Sequence, residues 1–278
     1  MTSIDKIGAT AFVIASIRES EDSKPEPLFT DPYAAWFSSD FARTAARGID
    51  AAFPPSTTMV RFRTRYFNRF IERGIEAGAV QVVLLGGGFD MRAHIFARDG
   101  VTFFEVDRKP VIDFKSKLLD DRGTVQPPSL PIDYLEGDLT GGLEELGLDP
   151  NLTTLIVWEG NTMYLPAESI MPFLNRLADG LARFRIAFDH FVLDLMNRDP
   201  DSIDIQRVEG IEQAMHVRFL TGFPDLAAFE NETPLRVAES GSFADLGREY
   251  GMGPMVDGYP EDWRRTLEIY RYCVLATQ

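Results

Sequence analysis

The chain has 278 residues, 45% of them hydrophobic and 26% charged, which suits a soluble globule holding one enlarged α/β domain or two smaller ones. Its 28 Lys and Arg against 43 Asp and Glu leave a net charge of −15, which argues against nucleic acid or an anionic membrane as partner, since both require a positive field. Cys273 is the single cysteine, so no intrachain disulfide can form and a reducing, cytoplasmic setting is expected; no apolar run reaches the ~20 residues of a membrane span, and the start at Met1 leads into no signal-like apolar stretch.

The first part of the chain reads as helical. Thr10 to Arg18 carries Phe12, Val13, Ile14 and Ile17 at helical spacing, and a polar, proline-containing break follows. Asp31-Pro32 predicts a cap and first turn for a helix through Ala34 to Phe37, which Phe53-Pro54-Pro55 ends. Ser56 can cap the next helix, which runs to about Ala77, and Gly78 closes it. From Gln81 the pattern changes to apolar strands alternating with helices: Val82–Leu85, Val101–Asp107, a weaker strand over Ile132–Leu135, Thr154–Trp158 and Arg185–Leu195. Helices are expected from Asp90, over Lys109–Leu119 and from Pro166. Leu235–Glu239 and Leu267–Ala276 suggest an antiparallel pair. The alternation predicts a mostly parallel sheet covered on both faces.

Sheets of this kind bind ligands beyond the carboxyl ends of their strands. Three features fall at such ends: Gly86-Gly87-Gly88 after the first strand, Asp107 closing the second, and Asp138 after the third. Glycines let a ligand approach the backbone, and a carboxylate in the second position can accept from both hydroxyls of a ribose. Singly, these are also what a tight turn and two helix caps look like; in this order they favour an adenosine-type ligand. The third glycine of a dinucleotide fingerprint is missing, because Phe89, Asp90 and Met91 follow Gly88, and Asp90 opens the next helix with a charge that repels a pyrophosphate. A phosphate-free adenosyl cofactor such as S-adenosyl-L-methionine fits better.

Val82-Val-Leu-Leu-Gly-Gly-Gly-Phe-Asp-Met-Arg92, Phe104-Glu-Val-Asp107, Gly137-Asp138-Leu139 and Glu159-Gly-Asn-Thr-Met-Tyr164-Leu-Pro166 occur in that order. With Glu26-Pro-Leu-Phe-Thr-Asp31-Pro-Tyr-Ala and Arg63-Thr-Arg65-Tyr-Phe-Asn68, they resemble the leucine carboxyl methyltransferase family, which includes bacterial O-methyltransferases of polyketide pathways. The likeness covers roughly residues 8–200. It implies a Rossmann-like, seven-stranded methyltransferase in one domain: an N-terminal helical cap (1–78), a cofactor-binding core (79–200), and a lid-like insertion with the last strands (201–278).

Carried over by position, Arg63 would pair with the carboxylate of S-adenosyl-L-methionine, and Gly86, with Gly88 beside it, would line the amino-acid moiety. Asp107 would hold the ribose, Asp138 and Leu139 would frame the adenine, and Glu159 would sit near the ammonium. Arg61 and Arg65 compete with Arg63, and the whole arginine series could be a solvated helix face. Tyr164 matches a substrate-side tyrosine of the protein-carboxyl-methylating branch, whereas Thr140 stands where that branch has an arginine for the substrate carboxylate. The substitution moves weight from a peptide to a small-molecule acceptor, a carboxyl or hydroxyl of a polyketide-like metabolite, and a homodimer is compatible with this reading.

His94, His190 and His216 lie too far apart for a metal site, and no metal is expected. A carboxylate acceptor needs no general base and a phenol does; His190 and His216 are the candidates, structural roles fit each better, and no catalytic residue is assigned. An NAD(P)-dependent oxidoreductase and a non-catalytic cofactor-binding module are the alternatives. Phe219, Phe223, Phe229 and Phe243 suggest an aromatic wall over the substrate, or ordinary core.

Overall fold

A computed structural model describes residues 9–215 and 217–278. Residues 1–8, where the reading of the chain's start falls, and His216 lie outside the described residues. Seven strands form one sheet in the order β3-β2-β1-β4-β5-β7-β6: β1 (Gln81–Leu85), β2 (Thr102–Asp107), β3 (Ser129–Pro131), β4 (Thr154–Trp158), β5 (Phe184–Phe191), β6 (Leu235–Ser242) and β7 (Tyr270–Thr277). Every neighbouring pair is parallel except the two made by β7. The order reverses at β1, which has β2 on one side and β4 on the other, so the crevice of such a sheet opens above β1 and β4.

Alternation along the central strands divides the core. Val82, Leu84, Leu155 and Val157 point to one face, where α3 (Pro54–Glu76) packs. Val83, Leu85, Ile156 and Trp158 point to the other, against α6 (Leu139–Glu145) and α7 (Ala167–Gly180). Helix α3 lies close on β4 because Gly74 has no side chain; a Cβ there would meet Leu155. The N-terminal helices α1 (Ala9–Glu19) and α2 (Asp40–Ala52) pack on each other and on α3. The remaining helices are α4 (Arg92–Ile95), α5 (Lys109–Asp121), α8 (Ile203–Met215), α9 (Ala227–Glu232), α10 (Phe243–Glu249), α11 (Gly253–Gly258) and α12 (Glu261–Ile269). None of the described helices is long and apolar enough to cross a membrane.

Several elements differ from the sequence reading, each for a local reason. After Asp31-Pro32 there is one 3₁₀ turn, Ala34–Trp36; Asp31 accepts from Tyr33 N at 3.2 Å and pairs with Arg18 at 3.3 Å through its other oxygen, and the true helix starts at Asp40, where Ser39 accepts from Ala42 N at 3.1 Å. Helix α3 begins at Pro54, and the Ser56 hydroxyl donates to Phe53 O rather than capping. The third strand is Ser129–Pro131, because Asp133 turns the chain: its side chain accepts from Leu135 N and its carbonyl from Glu136 N and Gly137 N. The helix expected from Asp90 is the short α4, with the Asp90 side chain accepting from Arg92 N at 2.8 Å. Strand β5 stops at Phe191, and β7 starts only at Tyr270 because Glu261–Ile269 is helical.

Candidate active site

Where the strand order reverses, a cavity of about 590 Å³ opens above the carboxyl ends of β1, β2 and β4. Its floor begins with the glycine turn. Gly86 and Gly88 have φ of +61° and +57°, a left-handed backbone in which side chains are strained. A Cβ on Gly86 would meet Asn161 Oδ1 at 2.5 Å, whereas one on Gly88 would meet nothing within 4 Å, so Gly88 borders open space. The Asn161 amide donates to Gly86 O at 3.2 Å and Glu159 O at 2.7 Å, tying the loop after β4 to the turn after β1.

Asp107 stands at the end of β2, where its Oδ2 accepts from Gly88 N at 2.8 Å. Burial raises its pKa above the ordinary carboxylate range, against hydrogen bonds from the Gly88 and Arg108 amides that lower it. The turn therefore fixes a carboxylate on the lining of the cavity.

The far side of the floor is a buried ionic chain. Arg63 donates from Nε to Glu159 Oε1 at 2.9 Å, and from Nη1 to Asp189 at 3.3 Å and the Tyr270 hydroxyl at 3.1 Å. The other Glu159 oxygen lies 2.7 Å from Arg92, which also pairs with Asp90 at 2.5 Å and donates to Asn68 Oδ1 at 2.7 Å. Burial pushes the Asp90 pKa up, but Arg92 and Arg18 outweigh it and hold the carboxyl below its usual range. Desolvation works against the charge on Arg63, yet Tyr270, Asp189 and Glu159 hold it cationic, with its pKa well above the ordinary value.

This geometry places six of the residues singled out from the sequence, Arg63, Gly86, Gly88, Asp107, Glu159 and Tyr164, around one cavity. Asp138 and Leu139 border a separate small pocket of about 50 Å³, with Tyr134 shared between the two spaces. The Asp138 carboxylate caps α6, accepting from Gly141 N at 3.0 Å. Asp90 is corrected: its charge is met by Arg92, so it cannot serve as the repulsive helix-opening charge that was to keep a pyrophosphate away. The arginine series is a solvated face only in part: Arg73 is exposed and Arg65 and Arg69 are half-buried, whereas Arg61 and Arg63 turn inward. Arg61 is buried against Glu21, Arg69 pairs with Glu249, and Arg63 alone of the series borders the cavity. His94 and His190 are not among the lining residues. His190 is buried on β5, its Nδ1 3.1 Å from Phe191 O, and burial pushes its pKa down to about 4.

Tyr134, Asn161, Arg92, Asp189 and Tyr270 were missed in the sequence. Arg92 and Asn161 stand inside the family-like segments, where their polar neighbours were the available signal. Asp189 and Tyr270 reach Arg63 only through the β5–β7 pairing, which no local pattern announces. Above the floor the lining turns apolar: Val13, Ile14 and Ile17 of α1, Met59 and Val60 of α3, and Phe219, whose ring lies 5.4 Å from that of Tyr164.

The sequence pattern of the leucine carboxyl methyltransferase family matches residues 11–178. A provisionally named S-adenosyl-L-methionine-dependent methyltransferase of Mycolicibacterium paratuberculosis is 36% identical over 192 residues, covering 63% of each chain. One from Frankia alni is 33% identical over 208 residues, covering 70% of this chain and 74% of the relative. The match thus spans under two thirds of the mycobacterial relative's length. Among solved structures, a DUF574-family protein of Streptomyces avermitilis superposes over the full length of both chains with a TM-score of 0.64 at 13% identity. A methyltransferase assigned by name in Thermobifida fusca gives 0.61 at 13% identity, over 96% of this chain and 94% of its own. At that identity the two structures speak for the fold.

Proposed function

This chain belongs to the leucine carboxyl methyltransferase family, and from that premise we propose that it is an S-adenosyl-L-methionine-dependent O-methyltransferase acting on the carboxylate of a small apolar molecule, of the polyketide-like kind. The observation that carries the reading is the floor of the cavity, where a glycine turn, a carboxylate held by that turn and a buried guanidinium converge at the switch point of the sheet. The residues fit the cofactor. Gly88 borders open space, Asp107 can accept from ribose hydroxyls, and Arg63 keeps Nη2 without a hydrogen-bond partner among the described residues, for a carboxylate. Asp138 and Leu139 border the small pocket beside this floor and Tyr134 lines both spaces, which in this reading sets the three at the adenine end of the cofactor. Gly86 and Glu159 shape the space between them.

When bound, S-adenosyl-L-methionine supplies an electrophilic methyl carbon on a sulfonium. The protein's part is to hold an acceptor oxygen ~3–3.5 Å away and in line, so positioning dominates. The acceptor side supports a carboxylate over a phenol. No histidine or lysine lines the cavity among the described residues. Of the carboxylates there, Asp90 pairs with Arg92 and Glu159 with Arg63 and Arg92, Asp107 accepts from Gly88 N and Arg108 N, and the exposed Asp133 accepts from Leu135 N through one oxygen. Burial pushes Tyr164 up to about 12, which leaves its hydroxyl a donor at neutral pH. A phenol of pKa ~10 would need a base, whereas a carboxylate of pKa ~4 is already ionised. The apolar wall of α1 and α3 suits the body of such an acid.

Transfer of a labelled methyl group to a panel of apolar acids and their phenolic analogues tests this. The expected product is a base-labile methyl ester. An alkali-stable ether from the phenols alone would move the reaction to hydroxyl chemistry.

A further inference from the structure

The family match ends at residue 178, yet two groups that hold Arg63 lie beyond it. Asp189, fully buried on β5, accepts from Gly160 N at 2.6 Å through one oxygen; the other accepts from the Tyr270 hydroxyl and lies 3.3 Å from Arg63 Nη1. Nη1 also donates to the Tyr270 oxygen at 3.1 Å, so guanidinium, phenol and carboxylate close a triangle. Burial raises the Tyr270 and Asp189 pKa values alike, which leaves the phenol protonated and able to donate. A buried ionic group of this kind is weak evidence for stability, because well-packed apolar residues often do as well. What the triangle does provide is orientation. An arginine has several rotatable bonds, and this one has Nε and Nη1 pinned while Nη2 is left for a ligand.

We infer that Tyr270 and Asp189 are positioning residues that fix the Arg63 guanidinium toward the carboxylate of the bound cofactor. The inference rests on the cofactor reading above. Tyr270 is suited to a clean test, since its ring is independently packed by Phe243 and Phe191, with centroids 4.9 Å from each. Tyr270→Phe therefore removes the hydroxyl and keeps the packing.

The experiment is calorimetry on the full chain with two probes: S-adenosylhomocysteine, which carries the amino-acid carboxylate, and 5′-methylthioadenosine, which lacks it. Tyr270→Phe is expected to raise the dissociation constant of S-adenosylhomocysteine about tenfold and that of methylthioadenosine by less than about twofold. Asp189→Asn, which keeps an oxygen for Gly160 N, should show the same selectivity and serves if the first variant does not fold. In an Arg63→Met background Tyr270→Phe should have no further effect on S-adenosylhomocysteine. Equal losses for both probes, no loss for either, or an undiminished effect without Arg63 would overturn the inference. Failure of the unmodified chain to bind either probe would instead overturn the cofactor reading itself.

Discussion

The floor and the roof of the cavity are built on opposite principles. On the floor, polar groups are fixed before any ligand arrives: Asp107 by Gly88, Glu159 by two arginines, Arg63 by Glu159, Asp189 and Tyr270. On the roof, Val13, Ile14, Ile17, Met59, Val60 and Phe219 offer shape with little hydrogen bonding. A preorganised floor suits one invariant ligand, because fixed donors and acceptors select it at little ordering cost. An apolar roof tolerates variation, since one methylene more or less in such a wall changes discrimination by only ~1–3 kcal/mol.

The comparison breaks first at the roof. Ile14 borders the cavity and is half-buried, so Ile14→Trp adds bulk there without emptying a core. Acceptor turnover should fall by ~100-fold, on the order of 3 kcal/mol, while S-adenosylhomocysteine binding changes little. Parallel losses in both measurements would merge roof and floor into one site. A background term that belongs to neither region has a comparable size. His190 is buried neutral with its pKa pushed down to about 4, and Arg271 adds to the effect of burial. Between pH ~6.5 and about 4 the unfolded chain takes up a proton that the folded chain refuses, so stability falls as pH falls through that window, by on the order of 3 kcal/mol. Denaturant titrations across the window should show the slope, and His190→Phe should flatten it.

On the floor, Asp107→Ala should weaken S-adenosylhomocysteine by ~1.5–3 kcal/mol, the scale of charge-assisted hydrogen bonds. Because burial raises the Asp107 pKa, affinity in the unmodified chain should decline on acidification before an ordinary carboxylate would titrate, and the variant should lose that dependence. Unchanged affinity would remove Asp107 from the ribose position. The smallest effect is expected at the floor's margin. Asp138 caps α6, so Asp138→Ala should lower stability by ~1 kcal/mol, read from the unfolding midpoint, and weaken the cofactor product as well. A loss of stability with normal binding would leave Asp138 a cap and nothing more.

The same division explains what could be read from the sequence. The glycine turn, Asp107 and Glu159 stand at the tips of apolar strands, and strand tips carry local signals: a run of Val and Leu, then glycine or a carboxylate. The parallel core and its antiparallel end were legible for the same reason. Asp189 and Tyr270 were not, because they meet Arg63 through a pairing in which Phe191 faces Tyr270 across two strands far apart in the chain. Tyr134 was lost with the misplaced third strand, whose edge position leaves it three residues long. Helix α2 was started too early because the local turn that Asp31 does hold, accepting from Tyr33 N, ends after one 3₁₀ turn, while its other oxygen serves Arg18, and a distant salt bridge leaves no mark on local spacing.

The central claim is that the floor accepts a phosphate-free adenosyl compound. Titration calorimetry of the purified chain with S-adenosylhomocysteine, and separately with NAD, examines it directly. The account predicts saturable one-site heat with the first and none with the second; saturation by NAD alongside silence from S-adenosylhomocysteine would contradict it.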